Sequence, residues 1–268
     1  MVSLSARYDD GERDDVWREL RVLGPRVRES EYLDDASAVA RTMALRARHN
    51  VEVLVERLGE AGFDPQNNDG EGRSRPMHVP PGPGAPALAS WLSSTCGPIP
   101  LTIDAWIREV GDVWLVGRHP AWPGSDQADP LFVEFEYSLY DEDPRDYYLG
   151  EHDAWLACRD AELDEPFRLD FAPDRLHKGN VSGGPPYGVV VPGPSVDGTI
   201  RLEEGAVSTF VPYLNEAFVA GGFPYLRVPA PTGLRESLAS DMLPAAVGPA
   251  VSGAPRRRAA PSGRGPAG

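Results

Sequence analysis

Cysteine is nearly absent. The two in 268 residues, Cys96 and Cys158, are too few and too far apart for a disulfide framework, and no CxxC spacing prepares a metal or redox site. No apolar run approaches the ~18 residues a membrane span needs. The opening Met-Val-Ser-Leu-Ser leads into Asp9-Asp10 rather than into an export signal. Bases are scarce relative to acids: Lys and Arg total 26 against 41 Asp and Glu, for a net charge of −15 and a pI of about 4.7. Such a surface repels phosphate backbones and anionic lipid, which argues against direct nucleic-acid binding and against membrane attachment. A cytoplasmic protein is expected. Catalytic signatures are missing too, with no GxSxG elbow, no HExxH, no GxxxxGK[ST] and no GxGxxG after a strand. The five histidines (49, 78, 119, 152 and 177) pair with no other His or Cys at a ligand interval, so no metal and no cofactor is expected.

What the chain does have is acid in one place. Residues 126–174 hold sixteen acids and three bases, a local net of −13, whereas residues 229–268 carry a net of +3. An acidic run is ordinarily a solvated face. At this density it also suits a basic partner, because complementary fields accelerate encounter. The last forty residues contain seven prolines, six glycines and no aromatic residue, too little apolar surface to offset ordering entropy. A disordered tail over 227–268 is expected.

Periodicity places the elements. Val39, Met43, Ala47, Val51, Leu54 and Leu58 recur every three or four residues, one buried stripe of a helix that starts at Asp34 or Asp35 and ends at Gly59 or Gly62. Val16, Trp17, Leu20 and Leu23 mark a shorter helix stopped by Gly24-Pro25. Residues 64–85 read as a Pro/Gly-rich linker, separating a helical segment (1–63) from the main body (86–226). The body opens with a helix at 86–95 and a second capped by Thr102. Strand-like runs follow at 112–118, 131–139, 167–171, 187–191 and 199–202, with the second half of 131–139 alternating so that its acids face water. A last helix begins at Thr209 and groups Phe210, Tyr213, Leu214, Ala217 and Phe218. The order predicts an α+β fold, a largely antiparallel sheet with flanking helices, an N-terminal helical extension and the disordered tail.

Three features carry candidate chemistry. His152-Asp153, or His177, could join acidic-stretch carboxylates around a divalent metal in a hydrolase or nucleic-acid-processing enzyme, though sixteen irregularly spaced acids define no pair. The segment from Leu176 to Tyr187 could offer Ser182-Gly183-Gly184 backbone N–H groups to an anion, but its glycines and prolines are more simply turn formers. Trp122, in Pro120-Ala121-Trp122-Pro123-Gly124, lies in a loop and could anchor an interface.

The stretch 99–117 (Ile99-Pro100-Leu101, a short helix with Trp106, Val110-Gly111, then Val113-Trp114-Leu115-Val116-Gly117) resembles the opening of SUKH-superfamily domains, and Asp129-Pro130-Leu131 suits the same pattern. The segments 176–187 and 218–223 also look like a group of uncharacterised bacterial proteins of the same layout. The resemblance covers roughly residues 86–226, and the long acidic stretch departs from it. It implies a non-catalytic α+β protein-binding module, many members of which are immunity proteins that neutralise bacterial toxins. Together with the charge, it suggests a partner-binding set of Asp141, Glu142, Asp143, Asp146, Glu151, Asp153 and Trp122 facing a basic protein, with a toxin as the candidate partner and no catalytic residues.

Overall fold

A computed structural model describes residues 2–65, 76–158 and 165–243. The chain starts with helices α1 (Leu4–Asp9), α2 (Arg13–Leu23) and α3 (Leu33–Glu60). All six stripe residues of α3, from Val39 to Leu58, are fully buried. The start of α3 differs from expectation: Tyr32 is its N-cap, and Asp35 points away to accept the Leu4 and Ser5 backbone N–H groups at the start of α1. A carboxylate there satisfies orphan donors of the neighbouring helix and meets its positive end.

Short strands β1 (Asp64–Pro65) and β2 (His78–Val79) lie within the expected linker. Helices α4 (Ala85–Thr95) and α5 (Leu101–Glu109) follow, then β3 (Asp112–Trp114), β4 (Gly117–Arg118) and β5 (Phe132–Val133). β1 pairs with β4, and β3 lies between β2 and β5, every pairing antiparallel. Gly111, at φ +85°, makes the turn from α5 into β3; a Cβ there would sit 2.2 Å from the Val79 carbonyl oxygen, so only glycine fits. Thr102 is not a cap. It is fully buried as the second residue of α5, whose N-cap is Pro100.

Helix α6 (Pro144–Cys158) then packs on β6 (Phe167–Ala172), followed by the single turn α7 (Arg175–Lys178). β7 (Tyr187–Val191), β8 (Thr199–Arg201) and β9 (Val207–Thr209) complete an antiparallel sheet in the order β6-β7-β8-β9, with Leu169 opposite Val189. Helix α8 (Phe210–Val219) buries all five of its predicted core residues. The fold is α+β with antiparallel sheets, as expected.

Two expected boundaries do not coincide with breaks in the packing. Tyr8, Trp17 and the α3 stripe belong to the same hydrophobic core as Trp106, Phe171 and Phe210. Arg28 donates to the carbonyls of Ile99 and Pro194, and α3 packs along α5. The N-terminal helices are thus part of the body rather than an extension to it. Residues 66–75 of the expected linker lie outside the described residues. At the other end, residues 227–243 are ordered: helix α9 (Leu234–Ala239) buries Leu238 against α3 and α8. Asn50 holds the Leu243 backbone in a reciprocal pair at 2.8 Å, and Arg57 donates to the Leu238 and Ser240 carbonyls. Leu234 and Leu238, four residues apart, give α9 an apolar side hidden in the sequence by the surrounding Pro and Gly, and Met242 beyond the helix packs on the same core. The remainder of the expected disordered tail, 244–268, falls outside the described residues.

Candidate functional site

The acids of 126–174 do not form one face. Asp126, Glu134 and Asp174 are buried, and Asp129, Glu136 and Asp170 are partly so. The alternation expected for 131–139 fails because the strand ends at Val133. Fully buried Asp112 then draws the chain into a turn, accepting from the N–H groups of Phe135 (2.8 Å), Glu136 (3.1 Å) and Ser138 (3.0 Å) and from the Ser138 hydroxyl. Tyr137 at the centre of that turn adopts φ +50°. Glu136 consequently points inward and accepts from Gly82 N–H at 3.0 Å.

By contrast, Asp141, Glu142, Asp143, Asp146, Glu151 and Asp153 are all exposed, on the turn before α6 and on α6 itself. Between residues 141 and 158 the only Arg or Lys is Arg145, which reaches Asp143 at 3.1 Å. Helical spacing brings Asp146, Leu149, Asp153 and Leu156 to one side of α6, and both leucines are among the exposed large apolar residues. The other side holds the helix down: Tyr148 is buried with its hydroxyl on the Asp170 carbonyl, and Phe167 meets the rings of His152 and Trp155 at 4.9 and 5.6 Å. Trp122 does not join this surface. It is 3% exposed, edge-on to Phe223 at 5.3 Å and beneath the Arg235 guanidinium at 4.9 Å, so its role is to seat the chain after α8.

The 176–187 segment turns its Gly184 donor inward. Asp174 caps α7 by accepting from His177 N–H at 2.7 Å and from the Gly184 N–H, so the anion in this loop is the protein's own carboxylate. Lys178 is fully buried, with its Nζ 2.6 Å from Asp129 and 4.7 Å from the centre of the Tyr187 ring. His177 sits beside Asp174, while His152 lies in the aromatic contact on α6. Among the described residues, no three His, Cys, Asp or Glu side chains gather around a point where a metal ion would fit.

One concavity adjoins the acidic helix. A cleft of about 410 Å³ opens where the end of β5 meets β6, the two joined by the Glu134 N–H, just past β5, on the Phe171 carbonyl. Trp114 and Phe171, 4% and 2% exposed, form its floor; Tyr140 and Tyr147, 48% and 39% exposed, form its rim. The Tyr137 ring lies between these two, 5.9 Å from Tyr140 and 4.8 Å from Tyr147. Glu134 and Asp170 supply the carboxylates. None of these was expected to be a site residue from the sequence, where Trp114 reads as part of the SUKH-like stretch, although four tyrosines within residues 137–148 were a visible signal.

Burial raises three carboxyls. Glu136 is pushed up to about 7, with nearby Asp112 adding to the effect, and Asp170 to about 6. Asp197, buried just before β8 where it accepts from the Val211 N–H of α8, is also pushed up to about 6. These groups bind protons more tightly in the folded than in the unfolded chain. As pH rises from about 4 to about 7 the unfolded state releases its protons first, so the stability these three carboxyls contribute falls across that window and levels off above it, outweighing the opposing effect of His119, whose pKa burial lowers. The melting temperature is therefore expected to be about 3–6 °C higher at pH 5.5 than at pH 8. Glu136→Gln should flatten the profile, and a melting temperature that climbs from pH 5.5 to 8 would contradict this account.

No protein-family model, curated protein or solved structure matches the chain, so its site is read from its own chemistry.

Proposed function

We propose that this protein is a non-catalytic binding module that engages a basic protein through α6 and the turn before it. The observation that carries this reading is the six exposed carboxylates, from Asp141 to Asp153, with one arginine among them and Leu149 and Leu156 exposed beside them. Apolar contacts set among unneutralised charges suit an interface that is steered electrostatically and then desolvated. The SUKH-like motifs of residues 99–117 point the same way, toward an immunity protein that neutralises a basic toxin. For a toxic nuclease, the acids would stand in for phosphates and cover the nucleic-acid site. Cytoplasmic action accords with two unpaired thiols, Cys96 and Cys158. Among the described residues no helix is long and apolar enough to cross a membrane.

The test is association kinetics with a partner captured from the native host. Raising salt from 50 to 300 mM should slow association about tenfold or more, because exposed charges are screened beyond ~8 Å at physiological ionic strength. The combined reversal D141K/E142K/D143K/D146K should slow it to a similar degree at low salt, with the melting temperature unchanged within about 2 °C. An on-rate indifferent to both salt and reversal would overturn the proposal.

A further inference from the structure

Charge alone attracts a partner without saying what docks, and the cleft beside α6 narrows that choice. We infer that the cleft between β5 and β6 receives an arginine side chain of the basic partner. This deepens the reading above and rests on it for the identity of the partner as a protein, while the cleft's preference for a guanidinium is testable by itself.

The walls select a cation. Aromatic faces carry negative potential and attract a positive group within about 6 Å of the ring centre. Here Trp114 lines the floor, with Tyr137 and Tyr147 above it only 4.8 Å apart. Glu134 and Asp170 add negative charge in the same space, so an anion is repelled. A neutral apolar occupant would strip water from the Asp170 carboxylate and return no charge for it. A cation with flat, weakly hydrated faces meets both demands, stacking on rings while its N–H groups reach a carboxylate.

Arginine fits that description better than lysine. An ammonium holds its water tightly and has no face to stack, whereas a guanidinium does both jobs with one group. About 410 Å³ exceeds one side chain, leaving room for the flanking residues of a peptide. The position matters as well. Tyr140 and Tyr147 stand on the rim within the acidic turn and helix, so a basic segment drawn to Asp141, Glu142 and Asp143 arrives over the cleft. Interfaces commonly concentrate their energy where an arginine enters an aromatic pocket.

The probes are fluorescein-labelled hexa-arginine and hexa-lysine, equal in charge and length, titrated into the full chain by anisotropy, together with unlabelled agmatine as a free guanidinium. Hexa-arginine is expected to bind about tenfold tighter than hexa-lysine, with agmatine weaker than hexa-arginine by at least about a hundredfold. Asp170→Asn and, separately, Tyr140→Ala should reduce the arginine preference to about twofold while leaving hexa-lysine binding nearly unchanged. Asp170→Asn keeps the shape of the wall, and Tyr140 is half exposed, so neither variant should unfold the protein. Equal affinity for the two peptides, or an arginine preference that survives both substitutions, overturns the cleft assignment and leaves the acidic surface standing. Agmatine binding as tightly as hexa-arginine overturns it in favour of a small-molecule site. If the fourfold reversal of residues 141–146 leaves hexa-lysine binding unaltered, the acidic-surface reading fails whatever the cleft variants do.

Discussion

Lys178→Met is expected to lower stability by about 3–5 kcal/mol, seen in urea denaturation as a lower midpoint and in melting as a fall of about 8–15 °C. Lys178 is the chain's only lysine beside twenty-five arginines, and it is fully buried. Its ammonium lies 2.6 Å from Asp129, whose other carboxylate oxygen accepts from the Tyr187 hydroxyl at 3.3 Å. The pair ties the loop before β5 to α7 and β7. Removing the cation leaves Asp129 facing the interior with a neutral partner alone, and that uncompensated charge is the larger part of the cost. The double variant Lys178→Met/Asp129→Asn should regain at least about 1 kcal/mol, since no charge is then stranded. Asparagine also tolerates the φ of +53° at position 129. Lys178→Arg should be destabilising as well, by about 1–3 kcal/mol, because a forked guanidinium overfills a space shaped for a point charge. A single Lys178→Met variant within about 1 kcal/mol of the parent would show that the pair contributes little.

Asp112→Ala is expected to cost about 3 kcal/mol and to disorganise the cleft. The carboxylate accepts three backbone N–H groups and one hydroxyl of residues 135–138, and its loss orphans the buried Phe135 N–H in particular. Near-ultraviolet circular dichroism should weaken as the Tyr137 contacts loosen, and the preference for hexa-arginine over hexa-lysine should fall to about twofold. Asp112→Asn keeps one acceptor oxygen and should give about half the loss of stability. A stable Asp112→Ala variant that retains its arginine preference would separate this turn from the cleft.

The helices with an apolar stripe were legible in the sequence. Val39 to Leu58 repeat at helical spacing, every one of those side chains is buried, and the same holds for Phe210 to Phe218. Helix α6 was not legible. Its sequence, beginning Pro-Arg-Asp-Tyr-Tyr, has no continuous apolar side and buries only Tyr148 fully, so its stability comes from lying on β6. The exposed acids were read correctly as a charged surface. Their buried counterparts looked the same in the sequence, because a carboxylate that caps a helix or pins a turn carries no local mark of doing so.

What the sequence determined by itself was therefore the α+β class, the cores of the amphipathic helices and the excess of acid around α6. These depend on composition and on spacings of two to four residues, which survive without knowledge of the fold. The tertiary structure alone decided the rest. Asp129 meets Lys178 across 49 residues, Asp112 meets Ser138 across 26, and Asn50 meets Leu243 across 193. The cleft needs β3, β5, β6 and α6 at once. Burial of a polar group is favourable only where a partner waits, and when that partner lies far along the chain, no short pattern of residues announces it.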